Sequence, residues 1–294
     1  MTEPRLRGSR PADDAAAAAS HVALQAGVTI RQLHDLAAMQ DVTDLFVDVW
    51  QTRRMDPPVN RDLLRALSHA GAYVAAAYAG DEVVGGSVGL FSADGSLHSH
   101  ISGVRSGLQG RSVGWALKLD QRAWCLDRGI TTVTWTFDPL VRRNAWFNLS
   151  KLGATCDEYL PDFYGSMRDG VNVGDASDRL YARWDLLSWR TVDAAAGRLD
   201  EIDSDVVRES GAQILLDEVD GRPVARERYA AGSAALLVAT PADIVDLRGR
   251  DLPLAAEWRQ AVRDALGTVM SDDYRATGMT RSGYYVLTPK DDPS

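Results

Sequence analysis

The chain has 294 residues, is 45% hydrophobic and 25% charged, and carries a net charge of −9. That is the make-up of a soluble globular protein, one large domain or about two average ones, long enough to hold a core without metal or disulfide. The acidic balance argues against general nucleic-acid binding, which needs basic residues to displace counterions from phosphates. Two cysteines, Cys125 and Cys156, cannot build a disulfide framework or a four-thiolate zinc site, and no apolar run is long enough to span a membrane.

The first twenty residues hold an alanine run but no leucine- or valine-rich stretch with a cleavage site, so they do not read as a secretory signal. Residues 1–25 are expected to be a disordered tail on a cytoplasmic protein. Val28, Ile30 and Leu33 are spaced by polar residues, as in a half-buried strand. Leu36, Met39, Val42, Leu45, Phe46, Val49 and Trp50 then recur at the three- and four-residue spacing of an amphipathic helix. Asn60 can cap a second, short helix that runs to about Ala70.

Three apolar runs follow, 73–78, 83–91 and 97–104, parted by turns short enough to require an antiparallel meander. Beyond a glycine-rich loop the period changes to that of a helix, marked by Val113, Ala116, Leu117, Asp120 and Trp124 and ending near Gly129. Residues 130–137 form a fully apolar strand, usually a central one, and a helix over 142–152 is closed by Gly153. A turn-rich stretch from Ala154 to Gly174 leads to a strand at 179–186. Residues 188–209 read as a polar connection. The carboxy-terminal region, 210–294, holds strands at 213–216 and 234–239, a helix at 253–270 and a final strand pair. Its helix followed by two strands faintly echoes half of the preceding domain. The expected class is α/β (α+β): a mixed, mostly antiparallel sheet flanked by helices over 26–187, plus a smaller α/β region.

The chemistry is concentrated between strand and helix at 103–116. A loop with Gly107 and Gly110 that feeds a helix start exposes unpaired backbone N–H groups at the positive end of the helix dipole, and so suits an anion. The glycine spacing matches neither a P-loop nor a dinucleotide fingerprint. Between Leu97 and Gly153, eight basic residues (Arg105, Arg111, Lys118, Arg122, Arg128, Arg142, Arg143, Lys151) face three acidic ones (Asp120, Asp127, Asp138), a local excess inside an acidic chain.

Arg111-Ser112-Val113-Gly114-Trp115-Ala116 resembles the Arg/Gln-x-x-Gly-x-Gly/Ala signature of the GNAT acyltransferase superfamily, and the order meander, loop, helix, strand, helix around it is similar too. The resemblance covers about 28–186. Leu97-His-Ser-His100, Trp135-Thr-Phe-Asp-Pro139, Asn144-Ala-Trp-Phe-Asn148 and Asp178-Arg179 look like a bacterial GNAT subgroup with an extra carboxy-terminal region, which suggests no substrate. The resemblance implies an acetyl-CoA or other acyl-CoA co-substrate and no metal. The backbone of Gln109, Gly110, Arg111, Ser112, Val113 and Gly114 would hold the pyrophosphate. Val104 would lie beside the thioester, where a backbone N–H between Ser102 and Val104 polarises the carbonyl. Asn144 and Asn148 would add cofactor contacts, and Asp138 would face the cleft or cap a helix.

The amine acceptor must lose a proton. His98 and His100, two apart on one strand and so expected on one face, are candidate bases. Many GNAT enzymes carry a tyrosine four residues before the glycine that closes the helix, as acid for the departing thiolate; here Leu149 stands there. Tyr164, with Tyr159 and Asn148, is a candidate substitute. Tyr164, Asp169 and Asn172 would contact the acceptor. The function expected is N-acyl transfer to a small-molecule amine by direct attack in a ternary complex, without nucleic-acid or membrane partners. The alternatives are a catalytically silent acyl-CoA-binding or regulatory protein and an acyl-CoA-processing enzyme such as a decarboxylase. A homodimer surface is one reading of the carboxy-terminal region.

Overall fold

A computed structural model describes residues 10–165, 175–226 and 233–290. The chain divides into two compact units, one of residues 1–134 and 185–188 and the other of 135–184 and 189–294. The fold is mixed α/β with mostly antiparallel strand pairing, as the sequence led one to expect.

The first unit opens with a helix, α1 (Arg10–Gln25), where a disordered tail was expected. Its alanines are strong helix formers, and Ala12, Ala15, Ala19 and Val22 recur on one buried face. The run lacks the bulk that marks a core in sequence, but small side chains let two helices approach closely, and α1 packs on α4 (Val113–Asp127). Strand β1 (Thr29–Gln32) and helices α2 (Leu36–Trp50) and α3 (Arg61–His69) follow at the expected positions. The Asp35 carboxylate accepts from Ala38 N at the start of α2, and Asn60 accepts from Leu63 N at the start of α3.

Strands β2 (Tyr73–Ala79), β3 (Glu82–Phe91) and β4 (Leu97–Val104) form the meander, with β1 antiparallel to β2 and β5 (Thr132–Phe137) parallel to β4. Helices cover both faces of β3, and its glycines make that approach feasible. A Cβ at Gly86 would sit 3.0 Å from Val42 of α2, and one at Gly85 would sit 3.0 Å from Leu117 of α4. At Gly103 of β4 a Cβ would lie 2.7 Å from the Trp50 ring, so only glycine lets α2 lie this close. The core on that side is built from Leu33, Met39, Val42, Phe46, Leu64, Val74 and Val88.

The second unit begins with the end of β5 and runs through α5 (Arg142–Ala145) into a π-helical turn, Trp146–Lys151. The expected helix 142–152 is therefore not uniformly α. Ser150 sits in the widened turn, where its hydroxyl donates to Met279 O and accepts from Met279 N. Strand β6 (Thr155–Leu160) occupies part of what read as turns, pairs antiparallel with β7 (Arg179–Asp185), and is followed by α6 (Trp189–Ala195) and α7 (Ser204–Glu209). The expected polar connection at 188–209 is thus largely helical. Thr191 and Ala194 are buried in α6, and Asp203 caps α7 through Asp205 N.

The remaining elements are β8 (Gln213–Val219), β9 (Arg222–Ala225), β10 (Leu236–Ala239), α8 (Ile244–Arg250), α9 (Leu252–Ser271), β11 (Tyr274–Met279) and β12 (Tyr284–Pro289). Strand order in this unit is β7-β6-β11-β12-β10-β8-β9, with β8 and β10 parallel and the other pairs antiparallel. The motif of a helix and then two antiparallel strands occurs twice, as α5–β6–β7 and α9–β11–β12, with β6 beside β11 through Ala276 and Cys156.

Candidate functional site

The end of β4, the loop at 105–112 and the start of α4 lie together in the first unit. In the antiparallel pairing of β3 with β4, Arg105 N donates to Val84 O at 2.9 Å, and Gly103 stands opposite Gly86. Hydrogen-bonded residues alternate along such a pair. The N–H groups of Val104 and Ser102 therefore point away from β3, toward the β5 side. The registered pairing of β4 with β5 covers Leu97↔Val133 and His98↔Thr134 only. Two backbone donors thus face the side of β4 on which β5 has ceased to pair.

The loop itself is open. Gly107 and Gly110 adopt φ of +85° and +84°, with nothing within 4 Å of the positions their Cβ atoms would take. Gln109, Gly110, Arg111 and Ser112 are exposed. Ser112 precedes α4 with φ of 64° and makes no capping hydrogen bond, whereas α2, α3, α7, α8 and α9 are capped by Asp35, Asn60, Asp203, Asp243 and Asp251. The first intrahelical bond runs from Ala116 N to Ser112 O. The start of α4 keeps the positive end of its dipole uncovered by its own cap residue. Gly114 would meet only Val104, at 3.7 Å, if it carried a Cβ. Arg105 pairs with Glu82 and donates to Val83 O, so its charge is engaged within the unit. An uncovered helix start, glycines with open space and exposed backbone fit a diphosphate.

On β4, His98 stands beside Thr134 of β5, with Nδ1 and Oγ1 3.3 Å apart. His100 is the extra residue of a β-bulge: Val88 and Gly89 are opposite Ile101 and Ser99. The expected simple alternation therefore does not carry across it. Ser99 accepts from Lys118 of α4, while Ile101 packs against the α2-side core. Burial holds the imidazole of His98 below the usual histidine range, and the nearby His100 and Lys118 charges lower it further. Burial also lowers His100. Both rings are neutral bases at pH 7.

Asn144, Asn148 and Tyr164 belong to the second unit. Asn144 is exposed, whereas Asn148 lies buried in the π-helical turn beside a fully buried Leu149. Tyr164 is exposed, its hydroxyl 3.2 Å from Thr136 Oγ1 and its ring beneath the Arg179 guanidinium. Asp169 and Asn172 lie outside the described residues. Tyr159, a candidate acid, donates to Asp178 at 2.5 Å, and burial together with that carboxylate pushes its phenol far above the ordinary range. It is held as a donor to Asp178.

Asp138 neither faces an open cleft nor serves only as a cap. It accepts from Leu140 N, and it also belongs to a buried quartet with Asp175, Arg248 and Arg259. Arg248 reaches both aspartates at 2.7 Å, and Arg259 reaches Asp138 at 2.9 Å and Asp175 at 2.8 Å. Burial alone would raise the Asp138 carboxyl, but the two guanidiniums outweigh it and hold it low. Arg263 and Asp178 form a neighbouring pair at 2.5 Å. Arg142, one of the basic residues counted between Leu97 and Gly153, bonds Thr240 and Glu218 within its own unit. Sequence reasoning also passed over Lys118. It is buried in a helix that is covered on more than one side, and its spacing resembles that of any surface lysine.

Residues 14–139 match the family model described as an acetyltransferase (GNAT) domain, somewhat under half of the chain. The match shows the GNAT superfamily resemblance that the loop–helix signature carries, and it begins within α1. Among solved structures, Ard1 from Thermoplasma volcanium is 17% identical with a TM-score of 0.43, covering 55% of this chain and 99% of its own. An N-acetyltransferase from Staphylococcus aureus Mu50 is 13% identical with a TM-score of 0.45, covering 54% and 98%. The protein yncA from Salmonella typhimurium, solved with its cofactor acetyl-CoA, is 21% identical with a TM-score of 0.41, covering 54% and 94%. These TM-scores are low, so the assignment rests on the domain match. No curated protein matches the chain. Among the described residues, no helix is long and apolar enough to cross a membrane, and no cluster of metal-ligating side chains is present.

Proposed function

We propose that this protein is an N-acyltransferase that moves an acetyl or related acyl group from acyl-CoA to the amine of a small molecule. The observation that carries the reading is the start of α4: an uncapped helix entered through an open glycine loop, inside the segment that matches the acetyltransferase domain. Acyl-CoA supplies an activated acyl group. The backbone from Gln109 to Gly114 holds its diphosphate, with Arg111 at the rim. Ser102 and Val104 N–H donate to a carbonyl oxygen laid along β4, as oxyanion donors do. His98 or His100, both neutral at pH 7, takes the proton that an attacking ammonium must lose. The acceptor is held by proximity rather than by covalent attachment to the chain. Asn144, Asn148, Tyr164, Asp169 and Asn172 are proposed as further cofactor and acceptor contacts, with Tyr164 as acid. The site is expected to work in the cytoplasm.

A second reading is favoured by one observation. Leu149 is fully buried at the position where the resemblance calls for an acidic tyrosine, which fits a protein that binds acyl-CoA and releases nothing. Thiol release from acetyl-CoA, followed across a broad panel of amines, separates the two. Amine-dependent release supports transfer, binding without release supports the silent reading, and loss of carbon dioxide from a carboxylated acyl-CoA would point to decarboxylation.

A further inference from the structure

We propose that Lys118 is a positioning residue for the acyl-transfer site: from the inner side of α4 it fixes the bulge of β4 and so sets where His98 and His100 stand. The proposal rests on the reading of this site as an acyltransferase centre. Lys118 is buried, and its ammonium donates to Ser99 Oγ at 2.8 Å and to Gln121 Oε1 at 3.2 Å. Ser99 lies between the two histidines and immediately before the residue that bulges. A hydrogen bond from a helix behind the sheet is the means by which an irregular strand keeps one conformation, because the bulge itself leaves a residue without a ladder partner. The bond also explains why a lysine is tolerated there at all. Burying an amine is costly unless its donors are used, and here they act on the strand that carries both candidate bases.

The groups around this amine include Ser99 and His98 on β4 and, on α4 itself, Gln121 and, one turn further, the buried Cys125 thiol. Asp120, two residues further along α4, accepts from the Tyr73 hydroxyl at 2.8 Å. Burial lowers the amine to about 7, and its charge in turn lowers His98. Lys118 therefore acts on His98 both through the strand it holds and through its field, without touching substrate.

The test compares the full-length protein with Lys118→Met and Ser99→Ala, using acetyl-CoA as the probe. Histidine imidazole titration followed by NMR reads the positioning directly, whatever the protein catalyses. In Lys118→Met, the His98 titration is expected to move to higher pH. Amine-dependent thiol release should fall about tenfold or more in kcat while the acetyl-CoA Kd changes by less than about twofold, since the loop that holds the diphosphate is untouched. Ser99→Ala, which removes only the acceptor, covers the case in which Lys118→Met does not fold, and it should shift the His98 and His100 resonances. Wild-type-like histidine resonances and titration in either folded variant would overturn the proposal. If wild type neither binds acetyl-CoA nor releases thiol, the acyltransferase reading fails instead, and the histidine titration still decides what Lys118 does.

Discussion

The two units use the same parts and finish them in opposite ways. Each contains a parallel strand pair, β4 with β5 in the first and β8 with β10 in the second, and each contains a long helix near it. In the first unit β4 runs into an open glycine loop, and α4 starts without a cap. In the second unit β8 turns straight back as a hairpin with β9, and α9 starts on Asp251, whose carboxylate accepts from Leu254 N at 3.0 Å. In the second unit Asp138, Asp175, Arg248 and Arg259 satisfy one another in a buried quartet. A helix start offers an anion site only where nothing internal has already answered its donors. By that measure the helix start of the first unit is left open to an anion, while the quartet of the second unit is closed on itself.

The contrast is broken most forcefully in the quartet. Arg259→Met leaves two buried aspartates facing one arginine and should destabilise the second unit by about 3–5 kcal/mol. Urea unfolding monitored through tryptophan fluorescence measures this, and a shift in midpoint too small to resolve would mean that the quartet is not a closed ionic unit. In the first unit the largest structural effect is expected at Gly103. Replacing it with alanine puts a methyl 2.7 Å from the Trp50 ring and should cost about 1–3 kcal/mol as overpacking, read as a fall in Tm together with altered Trp50 emission.

The two units also differ in how pH acts on them. The carboxyls of Asp138 and Asp178 lie below the ordinary range in the folded state: burial opposes this, and it is outweighed by Arg259 and Arg248 at Asp138 and by Arg263 and Tyr159 at Asp178. Their contribution is fully present above the unfolded carboxyl pKa of about 4 and is lost as acid carries the pH down through the lower folded values. Lys118 has the opposite signature. Its folded pKa, about 7, lies below its unfolded value, so the unfolded chain binds more protons between the two and stability rises with pH across that interval. Denaturant midpoints from pH 7 upward should therefore climb in wild type and climb less in Lys118→Met. The smallest effect sharpens the comparison of helix starts: Asp251→Ala should cost about 1 kcal/mol, the usual worth of a cap, whereas Ser112→Ala, at a start that is not capped, should cost close to nothing.

Much of the first unit was legible because its periodicities are strong. The stripe from Leu36 to Trp50, the cap at Asn60 and the meander with its short turns all stand where the pattern put them. The loop and helix that carry the candidate site were legible because glycines and a signature mark them in one contiguous stretch. What escaped depends on partners distant in sequence. The alanine-rich run of α1 buries its small side chains against α4, a partner far along the chain. Lys118 is buried for the same reason, and nothing in its neighbours in sequence announces this. Asp138, Asp175, Arg248 and Arg259 are scattered over more than a hundred positions and each looks like a surface charge. The bulge at His100 was missed because regular alternation is the default that a sequence suggests, and only the register with Val88 and Gly89 reveals the extra residue.

The central claim is that the uncapped start of α4 receives the diphosphate of acyl-CoA. The most direct measurement is calorimetric titration of acetyl-CoA into wild type and Gly114→Glu, with thermal melts of both. The side chain of Gly114→Glu enters open space beside Val104 and sets a negative charge against the diphosphate. The account predicts saturable binding to wild type, weakened about 100-fold or more in the variant, equivalent to about 2.7 kcal/mol, with both proteins folded. Absence of saturable binding to wild type, or equal affinity in a folded Gly114→Glu, would contradict it.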